Sequence, residues 1–423
     1  MSERNLTLFI LICYFTQGIS QHFALASQPL SFYLKTGLNL DAFQISIIMS
    51  ILMAPWVLKP FFGLLCDFFP LFGYRRLSYA IVSGCMTLVG WSALCLLVSQ
   101  TSDLSRSSAL CVILPFLLMA TSGMAWLTAL VVGLSSEIAD AKDQSRKYFS
   151  LQGIVYYGTN IPAMALGGYL CQHCDPYKAM SLAAIISALP CLILIFVSPH
   201  LLKSLDACVV SASESQSKGS MAVKEMRAAL SQLAFNKAFM LTLAFLALWN
   251  FSPSLGTSLY FFEVDTLHFT QGQIGYLGAV TSAGMFVGSL IFRCFLTTSF
   301  QSKKSLYLLI CVGMLSTLSY LLMATIESAV LIEFCRGICQ MIFLLALYGL
   351  AADVAPKRIA VTAMAVIICF YNLAQELGIF FGGFLFAKIF AQSLPPLIMV
   401  STVCTGLCYA LVPKLLQSRQ AVK

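Results

Sequence analysis

Four formally charged side chains, Lys59, Glu333, Arg336 and Glu376, stand inside stretches that are otherwise apolar. A charge placed in hydrocarbon costs roughly 2.5 kcal/mol or more, so each is a functional candidate by default. Glu333, Arg336 and Gln340 follow i, i+3, i+7 spacing and share one helical face, and Asn372, Gln375 and Glu376 share a face of the next apolar stretch. At about 1.5 Å per residue, Arg336 and Glu376 lie at a similar depth, near the middle of a bilayer. Two polar faces on consecutive helices suggest one wet cavity that handles a substrate or protons. The alternative is a staple, with Arg336 neutralised by Glu333 or by Glu376. Lys59 either contacts substrate or snorkels toward the membrane surface. The first part of the chain offers amides in place of charges: Gln17, Gln21 and Gln28 form one narrow stripe, Gln152, Tyr156 and Asn160 another, and Asn250 leads a third with Ser254 and Thr257. Trp126 and Trp249 either stack on a flat ring or simply pack.

These residues need membrane-crossing helices to carry them. Of 423 residues, 59% are apolar and 10% charged, with mean hydropathy +0.87; soluble domains carry about 25% charged residues, so an ordinary water-soluble protein is excluded. Apolar runs between charged or Pro/Gly/Ser clusters predict twelve spans, near 6–34, 42–65, 76–99, 109–136, 147–171, 178–198, 237–262, 271–293, 305–325, 328–352, 359–386 and 395–416. Most of the 25 Lys and Arg residues then fall on the side of the termini, against Lys35, Arg106, Lys178 and Lys388 opposite. The positive-inside rule therefore makes both termini cytoplasmic. Basic residues confined to short loops argue for topology and against nucleic acid as a partner, despite the net charge of +8. The sixteen Cys residues are dispersed, and Cys171, His173 and Cys174 are too few for a structural zinc site. No metal or cofactor is expected. The first run is too long and too rich in Gln for a cleaved signal segment, and the short untargeted ends suggest a bacterial inner membrane.

An internal repeat divides the chain. Gly133-Leu134-x-x-Glu137-Ile138-Ala139 recurs as Gly349-Leu350-x-x-Asp353-Val354-Ala355, and Gly167-Gly168-Tyr169-Leu170 as Gly382-Gly383-Phe384-Leu385, with Tyr156 over Tyr371. Gln44-Ile45 against Gln273-Ile274 is a weaker echo at a different offset. The expected organisation is a six-helix half over 1–198, a cytoplasmic linker over 199–236 and a second six-helix half over 237–423. An even number of spans per half makes the repeat parallel, as between the two halves of major facilitator transporters.

The most specific local motif is Pro55-Trp56-x-x-Lys59-Pro60-x-x-Gly63-x-x-x-Asp67, continuing to Arg75-Arg76. It resembles the major facilitator loop signature, but in a longer form. With Tyr14-x-x-Gln17-Gly18, that form resembles the folate-biopterin transporter family across essentially the whole chain. The counterpart near Gly288 and Arg293 lacks the Asp. Asp67, Arg75 and Arg76, joined by Glu137, Arg146, Asp353 and Arg358, form a candidate cytoplasmic gate of breakable ion pairs; simple topological anchoring is the alternative.

The expected fold is all-α, twelve transmembrane helices in two parallel-related halves, and the expected activity is secondary transport by alternating access. The resemblance implies folate or a pteridine as cargo with proton symport, or S-adenosylmethionine, which some members carry. A guanidinium such as Arg336 suits a folate carboxylate, and Glu333 or Glu376 suits a pterin amino edge or a sulfonium. Candidate substrate contacts are Gln17, Gln21, Tyr156, Asn160, Asn250, Arg336, Gln340, Asn372 and Gln375; Lys59, Glu333 and Glu376 are candidates for substrate or proton coupling. A membrane-embedded enzyme should show a nucleophile–base pair, and a receptor a sizeable soluble domain; neither is found, nor any Walker A, His-Glu-x-x-His or Gly-x-Ser-x-Gly run.

Overall fold

The computed structural model describes residues 3–68, 71, 74, 77–138, 142–206, 231, 236–252, 255–296, 303–354 and 360–420. Among them every regular element is a helix, with no β-strand. The helices are α1 (Glu3–Ser20), α2 (Ser27–Phe32), α3 (Ala42–Val57), α4 (Lys59–Phe68), α5 (Leu77–Leu97), α6 (Arg106–Ile138), α7 (Lys142–His173) and α8 (Pro176–Asp206). They continue as α9 (Lys237–Asn250), α10 (Gly256–Phe261), α11 (Gln271–Ile291), α12 (Lys303–Leu318), α13 (Ile326–Val354), α14 (Ala360–Phe384), α15 (Leu394–Gly406) and α16 (Val412–Gln420). Among the described residues nine stretches are long and apolar enough to cross a membrane, and Thr7–Ser20 and Lys237–Asn250 are shorter apolar helices. With α7, whose stripe of Gln152, Tyr156 and Asn160 lowers its hydropathy, they account for all twelve spans.

Three spans are broken where the sequence reads as continuous. The first stops at Ser20, turns, and resumes as α2; Pro29 has no N–H for the carbonyl of Leu25, and that carbonyl abuts Gly167, where a Cβ would meet it at 2.5 Å. The freed Ser20 carbonyl accepts from the indole N–H of fully buried Trp91 at 2.8 Å. The seventh span breaks between α9 and α10 at a related place: α2 and α10 are each six residues long and each run into a π-helical turn, Tyr33–Gly37 and Phe262–Thr266. Each turn is followed by a left-handed residue, Asn39 at φ 52° and His268 at φ 54°. All these pairs lie 229 positions apart, the offset of the Gln44-Ile45 and Gln273-Ile274 echo.

The third break explains Trp56-x-x-Lys59-Pro60. Pro60 cannot donate to the carbonyl of Trp56, and Phe61 donates to Leu58 instead of Val57. The side chains of α14 take these orphans: Asn372 Nδ2 donates to Trp56 O at 2.9 Å and Cys369 Sγ to Val57 O at 3.1 Å.

Contacts divide the chain into two compact units, each holding one stretch from the other half of the sequence. One comprises Met1–Asp41, Leu58–Ser215 and Phe269–Ser282, the other Ala42–Val57, Gln216–His268 and Ala283–Lys423. In the first unit α5 packs on α6 and α8, with Gly90 so close to α6 that a Cβ would lie 2.7 Å from Phe116 O. Trp126 stacks on Phe62 at 5.0 Å and lies against Tyr79, which makes it a packing residue. In the second unit α9 starts on an Asn236 cap that accepts from Phe239 N at 3.1 Å. Phe239, Phe245, Leu306, Leu347, Ile367 and Val412 form its buried apolar core.

Candidate functional site

The second unit contains a cavity of about 300 Å³ at the break between α9 and α10. Its walls include Trp249 and Asn250 before the break, Tyr320 just after α12, Arg336 and Gln340 on α13, and Gln375 on α14. The break is fixed from two sides. Asn250 Nδ2 donates to Tyr371 O at 2.8 Å, and the hydroxyls of Ser252 and Ser401 lie 2.6 Å apart. Gly378 lets the broken segment come close, since a Cβ there would lie 2.8 Å from Ser252 O. Trp249 packs over Gly313 and edge-on to Phe343 at 5.4 Å, so its ring is both packed and part of the wall.

Among the described residues Arg336 is the one cation on that wall, and its neighbours hold it in place. Nε and Nη2 each lie 3.2 Å from Glu333 Oε2, and Nη1 donates to Gln340 Oε1 at 3.1 Å. Tyr320 donates to the other oxygen of Glu333 at 2.6 Å, while its ring lies beneath the guanidinium at 5.6 Å. Glu333 is thus committed on both oxygens and is 5% exposed, whereas the Arg336 side chain is 31% exposed. A guanidinium has five N–H donors; the two not used here are left for a ligand in the cavity. Glu263, on the π-helical turn after α10, is buried and lies within electrostatic reach of both Arg336 and Glu333. It escapes a reading of the sequence because it falls just past the predicted span end at 262; only the turn places it beside α13. Tyr320 escapes as well, since nothing in its spacing ties it to Glu333.

The face of Asn372, Gln375 and Glu376 is split. Gln375 and Tyr371 line the cavity, while Asn372 and Glu376, one turn apart, lie along α3. There Asn372 caps Trp56, and Ser50 Oγ donates to the backbone O of Glu376 at 3.4 Å. Glu376 is 7% exposed, and neither carboxyl oxygen has a hydrogen-bond partner among the described residues. Arg336 pairs with Glu333 and not with Glu376.

Two of the first unit's amides, Gln21 and Asn160, are held by partners within that unit. Tyr156 donates to Gln21 Oε1 at 2.7 Å, and Asn160 donates to Gly18 O at 3.3 Å and accepts from Ser282 at 2.8 Å. Gln17 is buried, its Nε2 without an acceptor among the described residues. Lys59, at the start of α4, is half-buried and engaged. Of the proposed gate, the side chains of Asp67, Glu137, Arg146 and Asp353 and the whole of Arg75, Arg76 and Arg358 lie outside the described residues.

Residues 17–422 match the BT1 family. A folate-biopterin transporter of Synechocystis sp. is 30% identical over 291 residues, 69% of this chain and 54% of that protein. A probable folate-biopterin transporter of Arabidopsis thaliana is 31% identical over 162 residues, 37% of this chain and 30% of its own length. The matches thus span about half or less of these relatives. Among solved structures, an inward-open form of the xylose transporter XylE from E. coli has TM-score 0.71 at 12% identity, covering 98% of both chains. A peptide transporter has TM-score 0.69 at 12% identity, covering 97% of this chain and 95% of its own. At such identities the likeness is one of fold, the twelve-helix major facilitator fold of a multi-pass membrane protein.

Proposed function

Taking as premise that the chain belongs to the BT1 family, we propose that it is a secondary transporter moving folate or pteridine-type substrates by alternating access, coupled to protons. The observation that carries this reading is Arg336: a guanidinium on a cavity wall, fixed by Glu333, Tyr320 and Gln340, with two donors to spare. A folate carboxylate accepts such a pair in bidentate geometry. The flat pterin ring would lie against Trp249, with Asn250, Gln340 and Gln375 meeting its polar edge. Gln21 and Tyr156 act in this scheme as structural partners of each other, and Asn160 as a structural partner of Gly18 and Ser282. In this reading both termini face the cytoplasm, and Asp67, Arg75 and Arg76 are candidates for the gate on that side.

A second cargo has one observation in its favour: Glu263 and Glu333 bring two carboxyls to one guanidinium, and surplus carboxylate favours a cation such as the sulfonium of S-adenosylmethionine. Uptake of radiolabelled folic acid and S-adenosylmethionine, in parallel and with and without a protonophore, separates the two. Folate uptake that collapses with the proton gradient supports the main reading. Uptake of S-adenosylmethionine alone replaces the cargo, and uptake of neither sinks both.

A further inference from the structure

We propose that Glu376 is a proton-binding site that carries its proton while α3 packs on α14 and releases it when the two helices part; as a coupling device this rests on the proton-coupled reading above. Helices α3 and α14 run antiparallel in close register. Phe43 meets Phe380 and Phe384, Ser46 meets Gly383, Ser50 meets Glu376, and the orphan carbonyls of Trp56 and Val57 meet Asn372 and Cys369. Glu376 sits in the middle of this seam. An isolated carboxylate buried without a partner is costly enough that the group takes a proton instead.

Among the described residues no cation meets Glu376 along the seam: Lys388 lies at one end, over the Phe43 ring at 5.9 Å, and Lys59 follows Val57 by two residues at the other. The sixteen residues of α3 include no acidic, basic, Tyr or Cys side chain. On the other elements packed against α14, the charged residues are Lys237 at the start of α9, Glu263 and Asp265 beyond α10, Glu327, Glu333, Arg336 and Asp353 on α13, and Lys388 after α14 itself. Among the described side chains, none pairs with Glu376. Tyr260 on α10, Cys335, Cys339 and Tyr348 on α13, and Cys369 and Tyr371 on α14 complete the titratable groups of the elements that flank the seam. A metal ion is a poor occupant, because the Ser50 hydroxyl on the facing helix is turned to the Glu376 backbone and not to its carboxyl.

Packing does not require the carboxyl either. The repeat that sets Gly168 over Gly383 and Tyr156 over Tyr371 sets Ile161 over Glu376, so the same place in the first half takes an apolar residue. A carboxyl there binds one proton from the aqueous phase and returns it to water, with no other bond made or broken.

The test is infrared spectroscopy of the full-length protein in lipid, taken as wild type minus Glu376→Gln. At neutral pH the difference should contain a protonated-carboxyl C=O band that is shifted, not lost, in Glu376→Asp and that vanishes at alkaline pH. Absence of that band at neutral pH in protein that melts like wild type overturns the proposal, whatever the protein carries. Folic acid uptake is the second readout: Glu376→Gln should lose accumulation against a gradient and lose its pH dependence, with exchange across the membrane reduced far less. Wild-type protein that takes up no folate or pterin sinks the transport reading alone, and the infrared band still decides Glu376. Concentrative uptake in Glu376→Gln with unchanged pH dependence removes Glu376 from coupling.

Discussion

Where the second unit has Glu333, Arg336 and Gln340, the repeat places Leu117, Ala120 and Met124 in the first, and where it has Glu263 the first has Leu34. All four of these apolar residues are essentially fully buried. The two broken spans share their backbone devices, the six-residue helix, the π-helical turn and the left-handed residue after it. They differ in what fills the break. In the first unit Gln21 and Tyr156 close on each other; in the second Asn250 opens onto a cavity with a guanidinium on its far wall. The fold is therefore satisfied by leucine and alanine at these places, and the charges of the second unit answer to something other than stability.

The sharpest way to break that contrast is Arg336→Ala. It strands Glu333 and Glu263 without their cation, so thermal melting should report a loss of about 3–5 kcal/mol, the cost of breaking a buried pair by removing one partner. Adding Glu333→Leu and Glu263→Leu, the residues of the first unit, should restore most of that loss while uptake stays abolished. If the triple variant transports, the charges are structural after all. The glycine contacts come next. Gly168→Ala drives a Cβ to within 2.5 Å of the Gly275 backbone and should destabilise by about 1–3 kcal/mol. Gly383→Ala meets the side chain of Ser46, and Ser46→Gly should rescue it, whereas no single side-chain change should rescue Gly168→Ala; melting temperatures of the four proteins decide. Asn372→Leu leaves the carbonyl of Trp56 without its donor and should cost about 1–3 kcal/mol, read as faster hydrogen exchange around residues 56–61. The smallest effect is Tyr156→Phe, about 1 kcal/mol of stability with folic acid affinity unchanged.

The twelve spans and the parallel repeat were legible because both rest on features that run through whole helices, apolar length and recurring glycines. The sites of the breaks were not. A six-residue gap such as 21–26 does not interrupt an apolar run, and its consequence shows only when Trp91 and Gly167 from distant segments supply what the backbone lacks. The echo of Gln44-Ile45 in Gln273-Ile274 was the faint trace of this: it marks the register of the first helices of each half, which the stronger glycine echoes, belonging to later helices, do not share. Within the candidate site, Arg336, Glu333 and Gln340 were legible from spacing along one helix. Glu263 and Tyr320 join them from other helices, and the split of Asn372 and Glu376 from Gln375 depends on which neighbour each line of α14 meets. Helical periodicity assigns a face but not its neighbour.

In the proposed mechanism the second unit's cavity binds the substrate through the Arg336 fork. Equilibrium binding of radiolabelled folic acid to purified Arg336→Lys tests it most directly, because lysine keeps the charge and loses the planar pair of donors. Affinity should fall about 10- to 100-fold below wild type, the worth of a charge-assisted hydrogen bond of roughly 1.5–3 kcal/mol. Wild-type affinity in Arg336→Lys, in protein that melts normally, would contradict it.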